Sequence, residues 1–181
     1  VDSLSNRSHS RSNGHDLNVE VNYSDNTWMF NASLGVTPQS RTIDRKVGKL
    51  YADTAMNMID FQPMIWMSWR KKEMRVSLNY NGNTRQPSLS DLMPLTDNSN
   101  PLYITRGKPD LKQMFSHNIR LNFQNSPKGI SANLGGQVEQ NSVTQVMIYD
   151  VQTGGRETYP VNINGNWNLF GGASWWERFG D

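Results

Sequence analysis

Histidine and serine side chains are the first features of this sequence that could carry out chemistry, as metal ligands or as a base and a nucleophile. His9 and His15 are separated by five residues in an opening segment rich in Ser, Asn and Arg, and His117 directly follows Ser116. Two histidines on a predicted loop are too few for zinc, which takes about three or four protein ligands. Neighbours on a strand point to opposite faces, so Ser116 and His117 are not expected to form a catalytic pair.

Oxygen-rich and glycine-rich segments point to turns rather than to ligand sites. Asp97, Asn98 and Asn100 could offer oxygen ligands to calcium, but the EF-hand pattern is absent and side-chain bonds within a turn explain these residues. Glycine pairs at 135–136 and 154–155 lack the strand-to-helix setting of a phosphate-binding loop. We therefore predict no catalytic residue, no metal site and no cofactor, and a protein that is not an enzyme.

The composition favours a protein rich in strands. The chain has 181 residues, and its 18 Lys and Arg and 16 Asp and Glu are scattered, so nucleic acid is not an expected partner. The mean hydropathy is -0.70 although only 19% of the residues are charged. Much of the polarity therefore comes from Asn, Ser, Gln, Thr and Gly, which suit strands and turns. The sequence has no cysteine and no run of about 18 apolar residues that would predict a transmembrane helix.

Apolar and polar residues alternate with a period of two in several segments, which is the pattern of a strand with one apolar face. One clear case is Leu17, Val19 and Val21, which are separated by polar residues. The alternation predicts about seven strands, most of them paired in hairpins, at residues 16–36, 62–80, 116–149 and 157–173. The predicted fold class is all-β, with the strands in an antiparallel meander.

Short and long connections alternate between these strands. Short turns are predicted at 24–26, 70–73 and 125–129, long loops at 37–61 and 81–115, and a further outer loop at 1–15. Prolines at 87, 94, 101 and 109 interrupt the loop at 81–115, where Ser88 is placed to cap a single helical turn. Short turns on one rim and long loops on the other are typical of bacterial outer-membrane barrels, whose strands of about 10 residues are apolar outside and polar inside.

Aromatic residues lie near the short-turn ends of the predicted strands. Rings that combine an apolar body with a polar edge gather at membrane interfaces. Burial in an ordinary core is the alternative explanation for them. The residues assigned to an interfacial belt are Tyr23, Trp28, Trp69, Phe123, Trp175 and Trp176.

Two longer segments carry a distinctive succession of motifs. The first is YNGNTRQPSLSDLMPLTDNSNPLYITRGKPDLKQMFSHNIRLNF, residues 80–123, with Pro-Ser, Leu, Pro, Asp and Asn-Pro-Leu in that order. The second is DVQTGGRETYPVNINGNWNLFGG, residues 150–172. Both resemble the barrel of TonB-dependent receptors of the Bacteroidetes type. Lys108 departs from that family's pattern, in which Asn is usual, and this puts the local turn in question.

The resemblance implies a closed barrel of about twenty-two strands, filled by an N-terminal plug and opened by an energising TonB-type partner in the inner membrane. Seven strands cannot close such a barrel, and neither a plug nor a partner-binding segment is visible in the sequence. We therefore expect residues 1–181 to be one partial barrel domain in the bacterial outer membrane. Outer-membrane lipid would surround it, and further strands and a plug of the same protein would complete it.

The function implied by the resemblance is import of a nutrient, such as an iron chelate or a glycan, across the outer membrane. Polar residues of the wall are then expected to face the lumen, where they meet substrate or plug. These candidate residues are Arg75, Asn79, Arg85, Arg120, Asn122 and Gln137. Two alternatives stay open at this point: a soluble β-sandwich that binds carbohydrate, and a passive structural or adhesive outer-membrane barrel.

Overall fold

The computed structural model describes residues 6–47, 50–93, 96–100 and 102–177, most of which lie in strands. The predicted antiparallel meander is confirmed. The elements in chain order are β1 (Asn6–Gly14), β2 (Leu17–Ser24), β3 (Trp28–Val47), β4 (Leu50–Lys71), β5 (Met74–Arg85), α1 (Leu89–Leu92), β6 (Thr96–Asn100), β7 (Tyr103–Arg106), β8 (Met114–Asn125), β9 (Ile130–Gln140), β10 (Ser142–Tyr149), β11 (Arg156–Ile163) and β12 (Asn166–Trp175).

The main sheet has eight strands within the described ranges, in the order β1, β3, β4, β5, β8, β9, β12, with β2 also beside β3. β1 pairs with β3 from Gln39 to Val47, and β2 pairs with β3 from Met29 to Val36, so the two follow one another along one edge. β12 forms the other edge and pairs with β9. The sheet is therefore open, with one edge at β1 and β2 and the other at β12.

Tight turns and long excursions lie at opposite ends of these strands. The turns at 25–27, 72–73 and 126–129 define the short-turn rim, and the segments 86–113 and 141–165 define the long-loop rim. Glycine is required at one of the tight turns, because Gly129 has a φ of 59° and a Cβ there would also meet the backbone of Trp176.

Strand alternation gives the main sheet an apolar face and a polar face. Across the sheet Val21, Ala32 and Ile65 lie in one apolar row, while their sequence neighbours Asn22, Asn31 and Trp66 lie in the adjoining row of the polar face. The apolar face is not covered by other described residues: Val19 is 70% exposed, Leu169 67% and Trp167 73%. A monomeric soluble protein rarely leaves so much contiguous apolar surface in water.

The buried apolar residues lie in the loops and not in the sheet. Leu92 and Met93 at the end of α1, together with Leu111, are the buried hydrophobic residues of the described chain. The loops also build a second sheet, in the order β10, β11, β7, β6, in which β7 runs parallel to β11. The predicted helical turn at Ser88 is confirmed: the Ser88 hydroxyl accepts a hydrogen bond of 3.2 Å from the Asp91 backbone N–H.

Two predicted loops are wrong. Residues 37–61 are not a long loop, because β3 and β4 continue as one hairpin to Val47 and Leu50. Residues 6–14 of the predicted outer loop at 1–15 form β1, while 1–5 lie outside the described residues. Residues 6–14 and most of 37–61 show no regular alternation of apolar and polar side chains, so alternation could not reveal these strands. The connection at 48–49 and the prolines at 94 and 101 also lie outside the described residues.

The predicted strands at 116–149 and 157–173 are each divided between the two sheets. β9 ends at Gln140, Asn141 adopts a φ of 55°, and β10 then enters the second sheet. β11 also belongs to the second sheet, and the chain returns to the main sheet in β12 after Gly165, which has a φ of 97°. Residues in the left-handed region turn the chain sharply, so the single strands predicted over 130–149 and 157–173 are two strands in each case.

Candidate functional site on the polar face

The centre of the polar face brings an arginine between amide and aromatic side chains. Asn79 on β5 lies opposite Trp66 on β4 and opposite Arg120 on β8. Arg120 in turn lies opposite Gly135, and Gly135 lies opposite Phe170 on β12. The Arg120 guanidinium is 5.4 Å from the centroid of the Phe170 ring, within the range of a cation–π interaction.

Gly135 allows the Phe170 ring to lie flat against the wall. A Cβ atom at position 135 would overlap that ring, so any larger residue displaces it. Phe170 and Trp66 thus stand on the polar face on either side of Asn79 and Arg120, and a cavity of about 600 Å³ lies between them. Aromatic faces combined with amide donors and acceptors are suited to binding a polar ligand that has flat apolar parts.

The structure brings four of the six predicted wall residues into this cavity: Asn79, Arg120, Asn122 and Gln137. The Asn122 amide donates to the Ser77 hydroxyl at 3.4 Å. The Gln137 amide donates to the Glu139 carboxylate at 3.0 Å. Arg75 lies instead in a separate recess near the short-turn rim, and Arg85 lies at the long-loop end of β5, opposite Met114.

Asp60 organises the polar face at the long-loop rim. Its carboxylate accepts hydrogen bonds from the amides of Gln39 at 2.6 Å, Gln86 at 3.2 Å and Gln113 at 3.1 Å. Gln39 lies on β3, whereas Gln86 and Gln113 stand at the two ends of the long segment 86–113. Asp60 therefore fastens both ends of that segment to the β3–β4 hairpin.

Sequence reasoning missed Asp60, Trp66 and Phe170. The three amide donors to Asp60 are far apart in sequence, so no local motif marks them. The segment around Trp66 is apolar at every position from 64 to 67, which hid the face on which the ring lies. Phe170 interrupts the series Asn166, Asn168 and Gly172 on the polar face of β12. That interruption was the one sequence signal for an aromatic ring on this face.

The two long segments are joined into a single cover. The Asn162 side chain accepts from the Lys112 backbone N–H at 2.8 Å and donates to the Lys112 carbonyl at 3.0 Å. The Gln145 amide donates to the Asp91 carboxylate at 2.9 Å. These bonds link β10 and β11 to the segment around α1, so the long-loop rim carries a folded structure with buried Leu92, Met93 and Leu111.

Aromatic residues of the apolar face lie near the short-turn rim. Trp28 and Trp69 are directly opposite each other, with ring centroids 6.4 Å apart and planes inclined at 52°. Tyr23, Phe123 and Trp175 occupy the same face near their strand ends, and Trp176 follows β12 and donates its backbone N–H to the Gly129 carbonyl at 2.9 Å. On β4 the apolar face extends from Ile59 to Trp69. The length of this stretch matches that of a transmembrane strand, which is about 9–11 residues.

Asp25 closes the turn between β2 and β3. The Asp25 carboxylate accepts from the backbone N–H groups of Trp28 at 2.6 Å and Thr27 at 2.7 Å, and from the Tyr23 hydroxyl at 2.7 Å. These bonds, led by that from Trp28, lower the pKa of Asp25 because they favour the ionised carboxylate.

His117 takes part in aromatic packing on the apolar face. Its Nδ1 atom is 3.0 Å from the Tyr80 hydroxyl, and its ring meets the Phe115 ring edge-on at 4.7 Å. Ser116 lies on the polar face opposite Asn83, as expected for a neighbour on a strand. Across the described ranges, no three His, Cys, Asp or Glu side chains lie close enough together to hold a metal ion.

Comparison with known proteins identifies the family of this sheet. Residues 21–175 match the model of the Outer membrane protein beta-barrel family. No curated protein and no solved structure matches the chain. No helix in the described ranges is long and apolar enough to cross a membrane. The chain belongs to the outer membrane protein beta-barrel family, which confirms the predicted location in the bacterial outer membrane.

Proposed function

We propose that this chain forms part of the wall of a TonB-dependent outer-membrane receptor that imports a nutrient, such as an iron chelate or a glycan. The apolar face contacts outer-membrane lipid, and the polar face lines the lumen. Further strands and a plug of the same protein complete the barrel, and an energising TonB-type partner in the inner membrane drives transport. The observation that carries the proposal is the cavity in which Arg120, Trp66 and Phe170 stand among amide side chains.

The chemistry of this cavity suits transient binding. Amides of Asn79, Asn122 and Gln137 both donate and accept hydrogen bonds, and so fit neutral oxygen-rich ligands. A transport pathway needs contacts that are favourable enough for entry and weak enough for release. Many neutral hydrogen bonds, together with one guanidinium and two rings, meet both conditions better than a single tight charged site.

The folded cover supports a receptor rather than an open pore. Asp60 fastens the segment 86–113 to the β3–β4 hairpin, and bonds of Asn162 and Asp91 tie that segment to 141–165 at the long-loop rim. Such ties hold the loops in a definite shape above the lumen. Binding residues are often placed on loops that a rigid scaffold positions, and the barrel wall is such a scaffold.

We propose binding and transport rather than catalysis, and no cofactor. The carboxylates of the polar face accept bonds from amides: Glu20 from Asn22 and Asn31, and Asp60 from three glutamines. His117 lies on the opposite face. A general base would need a different setting, within hydrogen-bond reach of a substrate on the polar face.

A soluble carbohydrate-binding sandwich is not retained as an alternative. A sandwich covers the apolar face of each sheet with a second sheet. Here the apolar face has no such cover among the described residues, and the matched family is one of membrane barrels. A passive structural or adhesive barrel is the remaining rival, and the dependence of uptake on energy separates it from a receptor.

The test is uptake by cells that express the complete gene product, with and without the energising inner-membrane partner. Labelled iron chelates and oligosaccharides are offered one at a time. We expect at least one of them to be accumulated only when the partner is present. The variants Arg120→Gln and Phe170→Ala should lower that uptake, whereas Leu169→Ala, on the apolar face one residue away, should not. If each compound that enters the cells enters equally well without the partner, the proposal is contradicted and a passive barrel is favoured.

A further inference from the structure

Two arginines face each other at the short-turn rim without a counter-ion. Arg70 near the end of β4 and Arg75 near the start of β5 are direct cross-strand partners on the polar face. The backbone N–H of Arg70 donates to the Thr27 carbonyl at 2.7 Å, so this pairing is held in place by the neighbouring turn. Like charges that are directly opposite on adjacent strands destabilise a sheet unless an anion lies between them.

No carboxylate of the described residues forms an ion pair with either arginine. Ion pairs in the described ranges join Arg106 to Glu157 and Lys108 to Asp110, and neither involves Arg70 or Arg75. Glu73 borders the same recess but forms no ion pair with either arginine. Across the neighbouring strands β8, β9 and β12, the residues in the same row of the polar face as Arg75 are all neutral: Gln124, Ser131 and Ser174.

The carboxylates of the polar face lie elsewhere and are already engaged. Glu20, Asp60 and Glu139 stand nearer the long-loop rim, and each accepts from amide side chains. Arg70, Lys72 and Arg75 therefore outnumber the one carboxylate, Glu73, beside a recess of about 370 Å³, which we call the basic recess. It is lined by Arg70, Lys72, Glu73, Arg75, Gln124 and Ser126.

We propose that the basic recess binds the carboxylate of an Asp or Glu side chain carried by the polypeptide that fills the barrel lumen. This inference rests on the proposed function, in which a plug occupies the lumen. Guanidinium groups bind carboxylates through paired N–H donors, and two guanidiniums can hold one carboxylate between them. A lipid phosphate is disfavoured as the ligand, because Arg70 and Arg75 lie on the polar face, away from lipid. Lys71, the residue after Arg70 in the sequence, lies on the apolar face instead.

The test places a photo-cross-linking benzophenone amino acid at position 124 of the complete gene product in outer membranes. Mass spectrometry then identifies the cross-linked peptide. We expect a peptide of the same polypeptide that contains Asp or Glu and comes from outside this wall. The double variant Arg70→Gln, Arg75→Gln should reduce its yield about tenfold, the change that a loss of about 1.4 kcal/mol in binding free energy produces. The matched variant Lys71→Gln, on the apolar face, should leave the yield unchanged.

A charge-reversal experiment distinguishes a variant that has lost binding from a variant that has failed to fold. Heat-dependent migration on a gel shows whether each variant is a folded barrel. The variant Arg75→Glu should lose the cross-link, and replacing the identified acidic residue by Lys in that background should restore it. No cross-link, a cross-link to phospholipid, or a yield that the arginine changes do not lower would overturn the proposal.

Energised uptake in the same cells distinguishes the two proposals. If uptake requires the inner-membrane partner but the cross-link fails, the basic recess is wrong and the receptor stands. If the cross-link is found and depends on the arginines but uptake is independent of the partner, the receptor is wrong and the basic recess stands.

Discussion

Trp28 and Trp69 lie directly opposite each other on β3 and β4, with their ring centroids 6.4 Å apart. The pair stands on the apolar face where the short-turn rim begins, which is where interfacial rings of a membrane barrel are expected. Tilted aromatic pairs at this separation contribute about 0.5–1.5 kcal/mol beyond their buried area. The two tryptophans should therefore be coupled in stability.

A double-mutant cycle checks this coupling. Trp28→Ala, Trp69→Ala and the double variant are made in the complete gene product, and the free energy of unfolding is measured in lipid bilayers. We expect the double variant to be less destabilised than the sum of the single variants by about 0.5–1.5 kcal/mol. Strictly additive losses would show that the ring contact has no role of its own.

An arginine on the apolar face should destabilise the barrel far more than one on the polar face. Leu134 is half exposed at the middle of β9 on the apolar face, and its neighbour Asn133 lies on the polar face. Leu134→Arg should cost about 2–4 kcal/mol, as for a cation near the middle of a bilayer. Asn133→Arg is the matched control and should cost much less. Equal losses for the two variants would argue against lipid on the apolar face.

Removal of the Asp60 carboxylate should release the segment 86–113. Hydrogen bonds to charged groups contribute about 1.5–3 kcal/mol each, although part of this is lost where water competes. In Asp60→Ala the amides of Gln39, Gln86 and Gln113 lose their common acceptor. Trypsin should then cleave after Arg106 or Lys112 severalfold faster. Asp53→Ala, on the same hairpin, is the control and should leave the cleavage rate unchanged.

Acid should weaken the turn at Asp25. The pKa of Asp25 in the folded protein is lower than its ordinary value of 3.8, so folding favours the ionised form. The resulting stability is present above the unfolded-state pKa and is lost as the pH falls through the folded-state pKa. Asp25→Asn keeps the shape of the side chain but does not titrate.

The measurement is the difference in unfolding free energy between the natural protein and Asp25→Asn as a function of pH. We expect a difference in favour of the natural protein at neutral pH that shrinks once the pH falls below about 4. A difference that stays constant down to the most acidic condition would mean that Asp25 does not titrate in this way.

Alternation allowed the faces of the main sheet to be predicted from sequence. Arg75, Asn79, Arg120 and Asn122 could be assigned to one face because each stands between apolar neighbours on β5 or β8. The long-loop end of the β3–β4 hairpin could not be predicted, because its residues show no regular alternation of apolar and polar side chains. The second sheet was also missed, since β7 and β11 are some 50 residues apart and pair in parallel.

The candidate site was only partly accessible to sequence reasoning. The face on which the cavity amides lie follows from the period of two along each strand. Their position between the two rims depends on the register of the strands. Register decides that Arg120 lies opposite Gly135 and so comes beneath Phe170. It also sets Arg70 against Arg75. The first relationship has no local signature, because it arises only when separate strands are aligned, whereas the second depends on where the turn between β4 and β5 begins and ends.

The central claim is that the main sheet is a membrane wall with lipid on the apolar face and water or plug on the polar face. The chain has no cysteine of its own, so single cysteines at 118 to 123 on β8 can each carry a spin label in the complete gene product once any cysteine elsewhere in it has been replaced. Accessibility to oxygen, which partitions into lipid, is compared with accessibility to a water-soluble nickel reagent. We predict high oxygen accessibility at Ile119, Leu121 and Phe123 and low values at Asn118, Arg120 and Asn122. Absence of this alternation, or alternation of opposite phase, would contradict the account.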